Sequence, residues 1–163
     1  MKKEENILPP CQIFIDNEGY WYHKSAQMIH REIISLFYKN MTRLSDGTYV
    51  IEWNGQRCFV DVEDTAFVVW SLTFHENGAS GRPGFVMGLS DETSEYLNPE
   101  TLYIGEENVL YCRVKGGSGR EFPARFNRAS YYQLAEYIEE EGGEFFITVD
   151  GARYFIRDRR DSP

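Results

Sequence analysis

Gly47-Thr-Tyr-Val-Ile-Glu-Trp-Asn-Gly-Gln-Arg-Cys-Phe59 and Gly143-Glu-Phe-Phe-Ile-Thr-Val-Asp-Gly-Ala-Arg-Tyr-Phe155 are two versions of one segment, a constant 96 residues apart. Glycine, isoleucine, glycine, arginine and phenylalanine recur at five of the 13 places, so the chain carries an internal repeat. Each version reads as a β-hairpin. Asn54-Gly55 and Asp150-Gly151 are dipeptides that tolerate positive φ at both centres of a type I′ turn. Tyr49, Ile51 and Trp53 alternate in one copy and Phe145, Ile147 and Val149 in the other, and the alternation predicts one apolar face per strand.

A helical period precedes each hairpin. Ile34, Phe37, Tyr38 and Met41 fall at i, i+3, i+4 and i+7, and Tyr131, Leu134, Ala135 and Ile138 do the same 97 residues later. The drop from 97 to 96 places a one-residue deletion in the loop between helix and hairpin, where Asp46-Gly47 and Gly142-Gly143 stand. Asn127 suits the N-cap of the second helix, and His30 holds the same place in the first. Further upstream, residues 12–16 and 109–114 read as strands, each followed by a glycine-marked turn and a short second strand at 20–22 or 120–122. The unit is therefore β-β-α-β-β, used twice. The fold class is α+β, with mostly antiparallel sheets and one main helix per half. Residues 1–75 form the first repeat and 109–163 the second. Between them, 76–108 supply a connecting hairpin and loop: 66–74 and 84–89 read as paired strands, 76–83 as their loop, and 91–104 as a loop or a single helical turn.

Composition narrows the function classes. The 163 residues carry a formal charge of −9, which argues against general nucleic-acid binding. With 15% aromatic residues the chain can bury a core, so disorder is excluded. The longest apolar run, 66–70, is far short of a bilayer-spanning helix. The opening Met1-Lys2-Lys3-Glu4-Glu5 has no apolar stretch, which predicts a cytoplasmic protein. Cys11, Cys58 and Cys112, odd in number and scattered, fit reduced core thiols.

Several segments together resemble the bacterial Domain of Unknown Function 1285 family, over 12–156. They are Gly19-Tyr-Trp-Tyr22, Leu36-Phe37, Asp46-Gly-Thr-Tyr49, Val62-Glu-Asp-Thr-Ala-Phe67, Gly88-Leu-Ser-Asp-Glu92 and Phe126-Asn-Arg-Ala-Ser-Tyr-Tyr-Gln-Leu134. The resemblance implies the fold and a bacterial setting. It assigns no activity and carries over no catalytic residue.

Motifs of known chemistry are absent. His23, His30 and His75 are isolated, and no Cys-x-x-Cys pair exists, so neither a metal site nor a cofactor is expected. Lys115-Gly-Gly-Ser-Gly-Arg120 is glycine-rich, but a strand follows it where a phosphate loop needs a helix, and a hairpin turn accounts for it. The stretch 113–128 nevertheless holds Arg113, Lys115, Arg120, Arg125 and Arg128 against the single acid Glu121. Either these five bind an anion or they face the acids Glu136, Glu139, Glu140, Glu141 and Glu144 of the same half. Arg57 and Arg153, retained in both hairpins, suit pairing across each hairpin. Glu63 and Asp64 interrupt an apolar strand at a turn or bulge and are the best acid candidates. Trp21 and Tyr22 either present an aromatic platform to a ligand or divide, Trp21 to the core and the tyrosines to solvent.

The expected function is a non-catalytic binding or regulatory module for a small anionic metabolite or a protein partner, held in a groove between the halves. The alternative is an enzyme using Glu63 or Asp64 with an arginine; nucleic-acid association ranks third. Exposed edge strands leave a homodimer open.

Overall fold

The computed structural model describes residues 8–159. The chain divides into two units, Met1–Asp64 and Thr65–Pro163.

The first unit runs β1 (Pro10–Ile15), β2 (Trp21–His23), β3 (Ala26–Gln27), α1 (Arg31–Lys39), β4 (Met41–Arg43), β5 (Tyr49–Trp53) and β6 (Gln56–Val62). Its six strands form one sheet in the order β3-β2-β1-β6-β5-β4, antiparallel except where β1 and β6 run parallel. Asn54 and Gly55, with φ of 50° and 75°, make the expected type I′ turn, and Trp53 pairs with Gln56. Tyr49 and Ile51 are buried as the alternation predicts, but Val50 between them is buried too, and Trp53 at the hairpin tip is exposed. Helix α1 buries Ile34 and Tyr38. Tyr38 meets the indole of Trp21 edge-on at 4.8 Å between ring centres, and Phe37 stacks on the same indole at 6.3 Å.

In the second unit β7 (Phe67–His75), β8 (Gly84–Leu89) and β9 (Ser94–Tyr96) form an antiparallel meander. Then come β10 (Tyr103–Ile104), β11 (Leu110–Val114), β12 (Phe122–Phe126), α2 (Arg128–Ala135), β13 (Glu139–Glu141), β14 (Glu144–Val149), β15 (Ala152–Phe155) and β16 (Arg157–Asp158). A seven-stranded sheet has the order β16-β10-β11-β12-β7-β8-β9, and β13-β14-β15 form a second, three-stranded one. Asn127 caps α2 by accepting the Ser130 N–H at 2.9 Å, while His30 makes no such bond to α1. On α2 the buried residues are Ser130 and Leu134, and Tyr131 is exposed. Asp150 and Gly151 repeat the type I′ turn with φ of 51° and 78°.

The duplication is written in the hydrogen bonds, and it adds one strand to the expected unit on each side of the helix. Phe14 and Ile15 pair with Tyr22 and Trp21 of β2 and run parallel to Asp61 and Val62 of β6. Tyr103 and Ile104 likewise pair with Tyr111 and Leu110 of β11 and run parallel to Arg157 and Asp158 of β16. The flanking bonds match as well. Asp16 N–H to the Tyr20 carbonyl corresponds to Gly105 N–H to the Val109 carbonyl, and Glu63 N–H to Ile15 corresponds to Arg159 N–H to Ile104, all at 2.9 Å. Each copy is thus β-β-β-α-β-β-β, with β15 and β16 together in the place of β6. The counterpart of β1 is β10, not the 109–114 strand that the sequence suggests. β10 has only two residues and lies in a stretch that reads as a loop.

The reduced-thiol expectation is corrected for two of the three cysteines. Cys11 and Cys58 form a disulfide, with Cα atoms 5.0 Å apart, and Cys112 is a buried free thiol. The parallel pairing of Pro10 with Phe59 brings together two residues 47 positions apart, a contact without local trace in the sequence.

Candidate functional site

The basic stretch is spent largely inside its own unit. Lys115 pairs with the buried Asp91 carboxylate at 2.7 Å and donates to Thr93 Oγ1 at 2.6 Å, and its ammonium lies 5.7 Å from the centre of the Phe67 ring. Its own N–H is taken by both Glu95 carboxylate oxygens at 3.1 and 3.2 Å. Burial pushes the Glu95 carboxyl above its usual range, against the opposing pull of Lys115. Arg113 pairs with Glu121 at 3.4 Å, and the Arg128 guanidinium sits over the Tyr132 ring and donates to its hydroxyl at 3.5 Å, a bond that raises the Arg128 pKa. Arg125 opposes Tyr111 across the β11–β12 pair and Arg113 opposes Pro123, so these two arginines share one sheet face. Arg120 is exposed beside the glycine turn. Asp91, Glu95 and Glu121 are thus among the acids that serve the stretch, and Glu141 of the 136–144 group pairs with Arg153.

Trp21 belongs to the core, at 1% exposure, and its indole N–H has no hydrogen-bond partner among the described residues. Tyr22 is half-buried and donates to Asp16 Oδ2 at 3.2 Å; burial and the Asp16 charge raise its pKa. Glu63 is exposed on the bend after β6, where one carboxylate oxygen accepts the Asn17 N–H at 2.7 Å and so ties the β1–β2 turn to the end of β6. Asp64 beside it is half-buried. Glu63 and Asp64 belong to the first unit, and the basic stretch 113–128 belongs to the second.

The first unit holds a feature of another kind. A helix of nine residues is about 14 Å long, whereas six strands span about 24 Å. Helix α1 therefore leaves part of the sheet's apolar face uncovered. Ile13, His23, Ile51, Cys58, Trp53 and Gln56 share that face by register. Together with Ile29, Ile33 and Phe37 they line a groove of about 1050 Å³. Ile29 is 74% exposed and Trp53 45%, an unusual outlay of apolar surface for so small a unit. The ionisable groups of the lining are His23, His30 and Arg57, with no acid among them.

Two crystal structures have this architecture. A protein from Silicibacter pomeroyi DSS-3, described as a DUF1285 family protein, superposes with a TM-score of 0.73 at 16% identity, over 91% of this chain and 81% of its own. A second DUF1285 family protein, from Shewanella baltica OS155, gives a TM-score of 0.60 at 16% identity, over 78% of this chain and 91% of its own. This chain has the DUF1285 fold. No family model matches the sequence, and no curated protein does.

Within this DUF1285 fold the groove went unread in the sequence because its walls come from four separate segments, and because Ile29, Ile33 and Trp53 read as core residues wherever they stand. The available signal was the helix period: Ile33 lies off the Ile34–Tyr38 stripe that faces the sheet, and Ile29 precedes the helix cap. Among the described residues no helix is long and apolar enough to cross a membrane, and no group of three or more His, Cys, Asp or Glu is placed to hold a metal ion.

Proposed function

We propose that this protein is a non-catalytic binding module, and that its first unit takes a small molecule with an apolar body and an anionic end. The observation that supports this reading is the groove of the first unit, ample for a drug-sized ligand and lined by apolar side chains with His23, His30 and Arg57 as its ionisable groups. The apolar wall supplies affinity through burial, and the imidazole N–H groups of His23 and His30 give a carboxylate or phosphate its donors. The anion preference expected from the sequence thus moves from 113–128 to the first unit, since Lys115 and Arg113 already have acidic partners.

The test is thermal shift and calorimetric titration with octanoate, with octan-1-ol as the uncharged match. Octanoate should raise Tm saturably, because it binds the native state alone. His23→Glu should weaken it at least fivefold, and Arg120→Glu with Arg125→Glu should leave it unchanged. Equal affinity for octanoate and octan-1-ol, or loss of binding only in the Arg120/Arg125 variant, would refute the reading.

A further inference from the structure

The two copies of the repeat differ in what fills the space between helix and sheet. In the first copy Trp21, Ile34, Tyr38, Met41, Tyr49 and Val60 are all buried. The hydrogen-bond register and the helix offset place Leu110, Tyr131, Ala135, Ile138, Phe145 and Ile156 at the same positions in the second. An indole has become an isobutyl group and a phenol has become a methyl. These six residues of the second copy line an open pocket of about 870 Å³. Tyr131 is 38% exposed and Phe145 44%, although their counterparts Ile34 and Tyr49 are sealed at 1% and 5%. Close-packed interiors do not keep such space by default. The second copy has kept the backbone pairing of the first and given up the side chains that close it.

The mouth has also changed sign. In the first copy Arg43 pairs with Tyr49 across β4–β5, and its guanidinium lies 5.7 Å above the tyrosine ring. The matching pair in the second copy is Glu140 opposite Phe145, so an acid stands where the first copy has its covering cation. Glu139, Glu144 and Asp158 also line the pocket, against the single cation Arg157. The Glu140 and Glu144 side chains are unpaired among the described residues.

We infer that the second unit has a ligand site of its own, in the unfilled helix–sheet space, for a small molecule with an apolar or aromatic body and a cationic amine. The ring walls of Tyr131 and Phe145 take the body, and Glu140 with Glu144 take the ammonium. The inference stands apart from the first unit's groove, whose lining has the opposite charge.

Two naphthalene dyes test it on the full chain: a dansyl amide carrying a primary ammonium, and the same dye with that amine acetylated. The ammonium dye should bind with a blue-shifted emission at least tenfold tighter than the acetylated one. Ala135→Tyr, which restores the bulk of the first copy, should abolish the shift. Because an overfilled core can fail to fold, Glu140→Arg is the second variant; it restores the first copy's surface residue, and should weaken the ammonium dye about tenfold while leaving the acetylated dye and the melting temperature unchanged. His23→Glu should leave the ammonium dye unaffected. Equal binding of the two dyes, or wild-type binding of the ammonium dye by folded Ala135→Tyr and Glu140→Arg proteins, would overturn the inference.

Discussion

Breaking the Cys11–Cys58 bond is the perturbation whose magnitude follows most directly from the topology. The bond closes a loop between residues 47 positions apart. In the chain-entropy account, releasing a loop of that length from the unfolded ensemble removes about 4 kcal/mol of stability at 25 °C. For a chain of 163 residues that corresponds to about 8–16 °C in Tm. The stabilisation belongs to the first unit, since both cysteines lie there. Thermal melts followed by circular dichroism should therefore show reduced wild type and a Cys11→Ser/Cys58→Ser double variant coinciding, both well below oxidised wild type, with the double variant insensitive to reductant. Thiol titration of the denatured protein supplies the control: one free thiol, Cys112, before reduction and three after. A thiol count that rises from one to three while Tm stays within about 2 °C would refute the loop-closure reasoning, and three thiols in the untreated protein would refute the bond itself.

Three further outcomes are expected. Lys115→Met leaves the Asp91 carboxylate buried without its cation and should destabilise the protein by about 3 kcal/mol, read by urea denaturation. Glu95→Gln should be mildly stabilising at neutral pH. Burial raises the Glu95 pKa in the folded state, so the charged form penalises folding at high pH and the penalty is relieved as pH falls through the raised pKa; the difference between variant and wild type should shrink as the carboxylate protonates, and a difference independent of pH would count against it. Trp21→Ala should cost about 4 kcal/mol, since it removes the residue on which Phe37 and Tyr38 pack, whereas Trp21→Phe should cost far less because the indole N–H it discards is unpaired. Equal losses in the two Trp21 variants would contradict that packing account.

What the sequence made legible was local. Asn54-Gly55 and Asp150-Gly151 specify their turns through backbone preference alone, the 84–89 strand has the predicted bounds, and Asn127 caps its helix through a side chain three residues from its target. What it hid was pairing over distance. β10 is two residues long and exists only because β11 and β16 flank it, so no period or propensity marks it. The basic stretch was visible as composition, yet its partners Asp91 and Glu95 lie about 20 residues upstream of Lys115 on the β8–β9 turn and β9. Charge counted along the chain therefore overstated the charge offered to a ligand.

The repeat offers a way past that limit. Once the offset of 97 is known, Tyr38 against Ala135 and Arg43 against Glu140 can be compared without any coordinates. A duplicated unit supplies its own reference state: the two copies share their strand pairings, and the first shows which side chains close the space that the second, with α2 burying Ser130 and Leu134 and bonded to β7, leaves open. Trp21 on Tyr38 is one solution, at the cost of fixing two large side chains. Leu110 with Ala135 leaves that volume open and turns the neighbouring rings toward solvent. Stability alone favours the first solution, since cavity space in an apolar interior costs free energy for each cubic ångström left empty. The second arrangement, with Glu140 in the place of Arg43 at its mouth, is the pattern expected where one copy maintains the frame and the other is free to bind.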